Sequence, residues 1–155
     1  MIAQWKSDPL VKTMALGPSA QTDIEGQTRD IERAVSSEDQ IYYIICLKDN
    51  KEPIGYIRAD LTDDERKIAW LRFALGACRE QGYMKESLTA FVGHLFNAGI
   101  VRLDAEAYQS NIRSQRLMEK LGFSVEGRKR AAHFNGRGYE DIMVYGLLKK
   151  EWSGH

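Results

Sequence analysis

The stretch Arg79-Glu80-Gln81-Gly82-Tyr83-Met84-Lys85-Glu86-Ser87-Leu88-Thr89-Ala90-Phe91-Val92-Gly93-His94-Leu95-Phe96-Asn97-Ala98-Gly99 decides the fold. Met84, Leu88, Phe91, Val92 and Leu95 recur at the i, i+4, i+7, i+8 and i+11 spacing that lines apolar side chains along one stripe of an α-helix. The stripe predicts a helix from about Gly82 to Ala98, with Gly99 as its stop, because glycine enters the left-handed backbone region that ends helices. A strand-like run, Lys67 to Leu75, precedes this segment, and another, Val101 to Tyr108, follows it. A strand-helix-strand unit of this kind makes its two strands parallel neighbours.

Working outward, Ile41-Tyr42-Tyr43-Ile44-Ile45-Cys46-Leu47 is β-branched and aromatic, and reads as a buried strand. Lys48 to Glu52 is a polar turn, and Pro53 to Leu61 a second strand with proline at its start, where no ladder donor is needed. Short connections, the second through Asp63 and Asp64, make these strands and Lys67–Leu75 an antiparallel series. Downstream, Asn111 caps a short helix that ends at Gly122. Phe123 to Phe134, a two-residue Asn135-Gly136 turn and Tyr139 to Leu148 form a closing hairpin. Upstream, Ser7 or Asp8 with Pro9 starts a short helix to about Met14. Thr22 or Asp23 caps another, with Ile24, Thr28, Ile31 and Val35 on one face. The fold class is mixed α/β (α+β): a mostly antiparallel sheet with flanking helices and one parallel unit, in a single domain over residues 1–155.

Lys plus Arg and Asp plus Glu both total 22, so the net charge is zero, which argues against a nucleic-acid partner. The apolar content of 43% fits a globular domain. No run reaches the length of a membrane span and no leader segment is visible, so the expected location is the cytoplasm, with Cys46 and Cys78 as reduced thiols. His94, His133 and His155 have no ligand spacing, and no metal site is expected.

Three segments are candidates for chemistry. In Arg79 to Met84, backbone N–H groups at a helix N-terminus suit a phosphate, and Gly82 lets an anion approach the main chain; a plain strand-to-helix turn explains the same residues. Asn111-Ile112-Arg113-Ser114 reads as a helix cap with Ser114 in the first turn, needing no further function. In the strand from Val101, alternation puts Val101, Leu103, Ala105 and Ala107 on one face and Arg102, Asp104, Glu106 and Tyr108 on the other. Those ionisable groups need water, partners or a task.

Taken together, the segments resemble the GNAT superfamily of acetyl-CoA-dependent N-acetyltransferases, and most of all its branch containing the ribosomal-protein N-terminal acetyltransferases and many small-amine acetyltransferases. Arg79-Glu80-Gln81-Gly82-Tyr83-Met84 resembles the pyrophosphate loop [Q/R]-x-x-G-x-[G/A]. Asn111-x-x-Ser114-x-x-Leu117-x-x-Lys120-Leu121-Gly122-Phe123 resembles the second hallmark. Glu126-Gly127, Arg130, Asn135-Gly136, Tyr139-x-Asp141 and Glu151-Trp152 resemble the tail of that branch, and Trp5 with Asp8-Pro9 resembles its start. Met84 stands where the loop usually has Gly or Ala, and Met118 where many members have a tyrosine that protonates the departing thiolate. The usual strand before the first helix is trimmed or lacking.

The resemblance implies transfer of an acetyl group from acetyl-CoA, without a metal, to a primary amine by direct attack. The acceptor is a protein N-terminus or a small amine such as a polyamine, amino sugar or aminoglycoside. Glu106, five residues before Asn111, is then the base, with Asp104 second; a backbone N–H within Phe73-Ala74-Leu75 serves the oxyanion; Ser114 is the hydroxyl nearest the leaving thiolate. The co-substrate contacts implied are Phe73, Ala74, Leu75, Arg79, Glu80, Gln81, Gly82, Tyr83, Met84, Asn111 and Ser114. Glu25, Asp30 and Glu32 would give an acidic lining suited to a polycationic acceptor; a solvated helix face explains them equally well. A homodimer through Tyr139, Tyr145 and Trp152 is a further expectation. The alternative reading, carried by Met84 and Met118, is a non-catalytic acyl-CoA-binding or sensing module.

Overall fold

The computed structural model describes residues 36–78 and 80–154, together with Arg29 and Glu32. Its strands are β1 (Gln40–Cys46), β2 (Pro53–Leu61), β3 (Ile68–Leu75), β4 (Arg102–Tyr108), β5 (Ser124–Phe134) and β6 (Tyr139–Leu148), in a sheet ordered β1-β2-β3-β4-β6-β5. Neighbours are antiparallel except β3 and β4, the parallel pair joined by helix α1 (Tyr83–Asn97). Helix α2 (Ile112–Lys120) joins β4 to β5, and a 3₁₀ turn, Lys149–Glu151, follows β6. The expected mixed, mostly antiparallel sheet with one strand-helix-strand unit is the observed architecture.

Helix α1 forms where its stripe predicts. Met84, Leu88, Phe91, Val92 and Leu95 are all buried, joined by Phe96, and Gly99 ends the helix with φ +108°. They pack on Ala69, Leu71, Leu103, Ala105, Ala107 and Leu147, one face of the sheet. Burial of a leucine such as Leu95, 0% exposed, contributes about 1.5–3 kcal/mol. Helix α2 begins at its Asn111 cap, whose Oδ1 accepts the Ser114 N–H at 3.2 Å, and stops before Gly122 at φ +87°. Its Met118 and the following Leu121 and Phe123 complete the same core.

Four expectations need correction. The run Ile41–Leu47 is a strand, but only Ile45 in it is buried; Tyr43 and Ile44 are 49% and 40% exposed. An apolar run does not reveal that the strand pairs on one side only among the described residues. The Asn135-Gly136 turn is a four-residue loop, because Asn135 Oδ1 accepts the N–H groups of Arg137 and Gly138, closing an Asx turn between paired Phe134 and Tyr139. Val101 lies just ahead of β4 and is exposed; its N–H donates to Lys67 C=O. Of the aromatic residues expected at a dimer interface, Tyr145 is 1% exposed in the core, and Trp152 packs 6.2 Å from Phe96; Tyr139 is the exposed one. The upstream helix expected to about Met14, Trp5, Asp8-Pro9, Glu25, Asp30 and the question of a missing first strand lie outside the described residues. Arg29, Glu32 and Ser36 are helical and fall in the span of the second expected helix, whose expected cap and apolar face, Thr22, Asp23, Ile24, Thr28, Ile31 and Val35, lie outside the described residues.

Candidate active site

The parallel pairing of β3 with β4 covers Ile68↔Arg102, Ala69↔Leu103 and Trp70↔Asp104, and stops there. Both strands continue, β3 to Leu75 and β4 to Tyr108, so a cleft opens between them. On its other side β3 stays paired with β2 up to Leu75. The Thr62 N–H donates to Ile68 C=O and the Gly76 N–H to Ile54 C=O, so the even-numbered residues of β3 turn their main-chain groups toward β2. By alternation, Phe73 and Leu75 turn theirs toward the cleft. Ala74, expected to join them, does not: its carbonyl faces Gly55 of β2.

The loop after β3 carries three residues with left-handed backbone: Cys78 φ +52°, Glu80 φ +72° and Gly82 φ +83°. Left-handed residues in a turn leading into a helix direct main-chain N–H groups to one side, the arrangement that suits an anion. Gly82 is the N-cap of α1, and a Cβ built on it meets no atom within 4 Å, so the space beside it is open. A shallow groove lined by Gly82, Lys85, Glu86, Thr89 and Ala90 runs from there along α1. Glu80 and Gln81 are exposed, and Tyr83 is half-buried against the core. Met84 is 8% exposed, its side chain sunk into the core and away from the loop. Arg79 lies outside the described residues. Glu80 forms an ion pair with Arg113 in the first turn of α2, which ties the loop to the Asn111–Ser114 segment. Ser114 is half-buried, and Met118, 1% exposed, is core.

The β4 alternation holds: Leu103, Ala105 and Ala107 are buried under α1, while Asp104, Glu106 and Tyr108 share the opposite face. Asp104 is paired with Arg102 at 2.5 Å, and Arg102 also pairs with Glu126. Arg102 holds the Glu126 carboxyl below its ordinary range. Glu106, two residues past the last β3–β4 pair, accepts a hydrogen bond from Lys129 Nζ at 2.5 Å. Across the cleft Arg72 stacks on Trp70, 4.2 Å from the ring centroid.

Tyr108 stacks at 3.7 Å on His133. Burial raises its phenol pKa, Glu140 and then Glu106 add to that, and Arg72 opposes it, so three strands contribute charged groups to one patch. Glu140 Oε2 accepts the Ser110 N–H at 2.8 Å. Burial alone would raise the Glu140 carboxyl, but hydrogen bonds from Ser110 and then Asn135, with His133 adding to them, together outweigh it and the carboxyl lies below its usual range. Glu140 Oε1 and His133 Nε2 are buried without a hydrogen-bond partner.

Lys129, Tyr108 and Arg72 were not singled out from the sequence. Tyr108 shares its face with Glu106 by simple alternation, which was a usable signal. Lys129 reaches the site through two bulges in β5, at Val125/Gly127 and Lys129/His133. Asp141 Oδ1 accepts the Ala131 N–H at 2.8 Å, holding that residue at φ +48° within the second bulge. Among the described residues no group of His, Cys, Asp or Glu is arranged to hold a metal ion, and no helix is long and apolar enough to cross a membrane. Cys46 and Cys78 are free thiols.

Comparison with known proteins places this geometry. The curated relative "Uncharacterized N-acetyltransferase p20" of Bacillus licheniformis is 28% identical over 161 residues, covering 99% of this chain and 89% of its own. The spermidine N-acetyltransferase of Vibrio cholerae, solved with CoA and spermine, superposes with a TM-score of 0.85 at 13% identity, over 97% of this chain and 89% of that one. The ribosomal-protein-S5-alanine acetyltransferase of Vibrio fischeri superposes with a TM-score of 0.79 at 17% identity, over 98% of this chain and 88% of that one. At such identities the two structures establish the fold. The sequence profile of the acetyltransferase (GNAT) domain matches residues 1–124, four-fifths of the chain, and with it the chain belongs to the GNAT acetyltransferase family.

Proposed function

We propose that this protein transfers an acetyl group from acetyl-CoA to a primary amine by direct attack, with Glu106 as general base. The observation that carries the proposal is the end of β3–β4 pairing at Trp70↔Asp104, which leaves the main chain of Phe73 facing a cleft with Glu106 on its far wall. Acetyl-CoA supplies the activated acetyl thioester. The residues present suit it: the Phe73 N–H is an oxyanion donor, and the left-handed turns at Cys78, Glu80 and Gly82 suit a pyrophosphate, with open space beside Gly82. Met84 does not obstruct that loop, since its side chain lies in the core.

Glu106 takes the proton that an ammonium group, with a reference pKa of about 10.4, must lose before it attacks. Ser114, at the start of α2, is the hydroxyl offered to the departing thiolate, whose ordinary pKa of about 8.5 asks little of a donor. The named relatives act on a polyamine and on a ribosomal-protein alanine, so both a small amine and a protein N-terminus stay within the proposal. The buried, unpartnered Glu140 Oε1 beside the cleft supports an acceptor that carries hydrogen-bond donors besides its reacting nitrogen. We place the protein in the cytoplasm, where free thiols persist.

Thiol release from acetyl-CoA, screened over polyamines, amino sugars, aminoglycosides and N-terminal peptides, tests the reaction. Glu106→Gln should retain acetyl-CoA binding and lower kcat by roughly 10²–10⁴, with the loss shrinking as pH rises and more of the amine is already neutral. Full kcat in that variant at every pH would remove Glu106 as the base. Met118, a buried thioether that donates no proton, favours the second reading, an acyl-CoA-binding module without turnover. Tight binding with no thiol release from any amine class would establish that reading instead.

A further inference from the structure

We infer that Lys129 is an internal acceptor: with acetyl-CoA bound, the protein acetylates its own Lys129 at Nζ. The inference rests on the proposal that Glu106 is the base, and on what Glu106 holds. Its Oε1 accepts a hydrogen bond from a primary ammonium, Lys129 Nζ, at 2.5 Å. That is the contact a substrate amine must make with its base before it attacks.

The fold brings this lysine to the site from a distance. Lys129 lies on β5, and β6 runs between β5 and β4. In the register, Lys129 faces Ile142 and Ile142 faces Tyr108; Glu106 faces Val144 and Val144 faces Gly127. With strands about 4.8 Å apart, the side chain must cross roughly 10 Å of sheet. Gly127, with no side chain, leaves the row of Glu106 clear on the β5 side, so Lys129 can reach diagonally over β6. The bulges on either side of Lys129, one held by Asp141, set the strand in that register. The lysine itself is 56% exposed, while its carboxylate partner is 24% exposed and sits at the cleft mouth. A side chain that bridges two strands to reach a partly buried carboxylate differs from the other lysine pair among the described residues, Lys67 Nζ to Glu65 Oε2 at 2.8 Å, whose partners are two residues apart and both well exposed.

The step balances without another reactant. Glu106 takes one proton from the Lys129 ammonium, and the neutral nitrogen attacks the thioester carbonyl carbon. The C–S bond breaks as the C–N bond stays, and the nitrogen's second proton goes to the departing thiolate. The products are acetyl-Lys129, CoA thiol and one proton released to solvent through Glu106. Because the amide carries no charge, the ion pair is lost and Glu106 becomes available to an external amine.

The test is incubation of the intact protein with acetyl-CoA and no added amine, with peptide-resolved mass spectrometry over time. Acetylation of Lys129 should outpace that of Lys67, an ion-paired lysine of nearly equal exposure, by at least tenfold. The rate should be first-order and unchanged over a tenfold range of protein concentration, and should fall at least tenfold in Glu106→Gln. Lys129→Arg keeps the ion pair but removes the nucleophile; it should abolish the burst of thiol, at most one equivalent per chain, seen without acceptor. Melting temperature and acetyl-CoA affinity of both variants guard against misfolding. Lys129 modified no faster than Lys67, or equally fast in Glu106→Gln, overturns the inference. If an external amine is turned over while Lys129 stays unmodified, this inference fails and the acetyltransferase proposal stands. If neither is acetylated, both fail.

Discussion

Gly82 allows a quantitative test of the loop, because the protein contains a matched control. Gly82 has φ +83° and Gly136, in the β5–β6 loop, φ +92°; a Cβ on either meets no atom within 4 Å. Replacement by alanine therefore creates no clash at either position and costs only the left-handed backbone, about 1–2 kcal/mol for an L-residue. At Gly136 that cost should appear in stability alone. At Gly82 the loop can relax out of the left-handed region when empty, but binding through its N–H groups demands that conformation again, and the new methyl projects into the open space beside the loop. The strain then appears in affinity: about 1.4 kcal/mol is tenfold in the dissociation constant, and steric exclusion of the anion adds to it. Calorimetric titration with acetyl-CoA, beside thermal unfolding of both variants, reads the two contributions. Gly82→Ala should weaken binding at least tenfold and Gly136→Ala leave it within twofold. Equal affinities in two folded variants would refute the placement of the pyrophosphate over this loop.

Ser114→Ala should lower kcat less than Glu106→Gln does, by under about tenfold, since a thiolate of ordinary pKa about 8.5 leaves fairly well unaided; steady-state kinetics with the best amine decides it. Glu140→Gln should lose an acid-sensitive part of stability. The folded carboxyl lies below its usual range, so its contribution is full above the unfolded pKa of about 4.3 and disappears as pH falls through the folded value. The difference in melting temperature between the two proteins should shrink from pH 6 toward pH 3, and a constant difference would refute the assignment. Gly146→Ala should lower the melting temperature modestly, since a Cβ there runs into the Glu126 carboxylate and Arg102. Partly exposed ion pairs contribute about 1 kcal/mol or less, so a loss well above that in denaturant titration would point to backbone displacement instead.

How far the fold was legible depends on which spacing the physics enforces. The α1 stripe is periodic and needs a sheet to cover it, so the helix, its two parallel strands and the faces of β4 follow from residue order. The burial of β1 did not follow, because an apolar run such as Ile41 to Leu47 reads alike in a central strand and in one that, among the described residues, pairs on one side only. The loop reading rested on Gly82, yet Cys78 and Glu80 also adopt positive φ without being glycine, a choice made by tertiary context. In the closing hairpin the Asn-Gly signal gave the right turn residues and the wrong loop length. The longer loop shifts the register by two residues, and the bulge between Lys129 and His133 shifts it back, so Lys129 lands opposite Ile142 as a two-residue turn would have placed it. Carrying that register across β6 would have found Lys129 beside Glu106; composition and periodicity alone do not, because they say nothing about pairs two strands apart.

The site residues gather where the sheet's own hydrogen bonding fails. Between β3 and β4 the ladder ends after Trp70 and Asp104, and in β5 it is interrupted on both sides of Lys129. A main-chain N–H or carbonyl left outside a ladder needs another partner, since leaving such a group buried and unmade costs about 1–3 kcal/mol. The second interruption is satisfied within the protein, by Asp141 at the Ala131 N–H. The first leaves the Phe73 main chain facing the cleft, which is where the proposed function seats the acyl donor. The two are coupled by position: the satisfied break delivers Lys129 over β6 to Glu106, at the mouth of the open one. Asp141 thus acts on the cleft without touching it. Replacing it would release Ala131 from its left-handed conformation and let the β5 register relax, withdrawing the ammonium from Glu106 while the β3–β4 cleft keeps its shape.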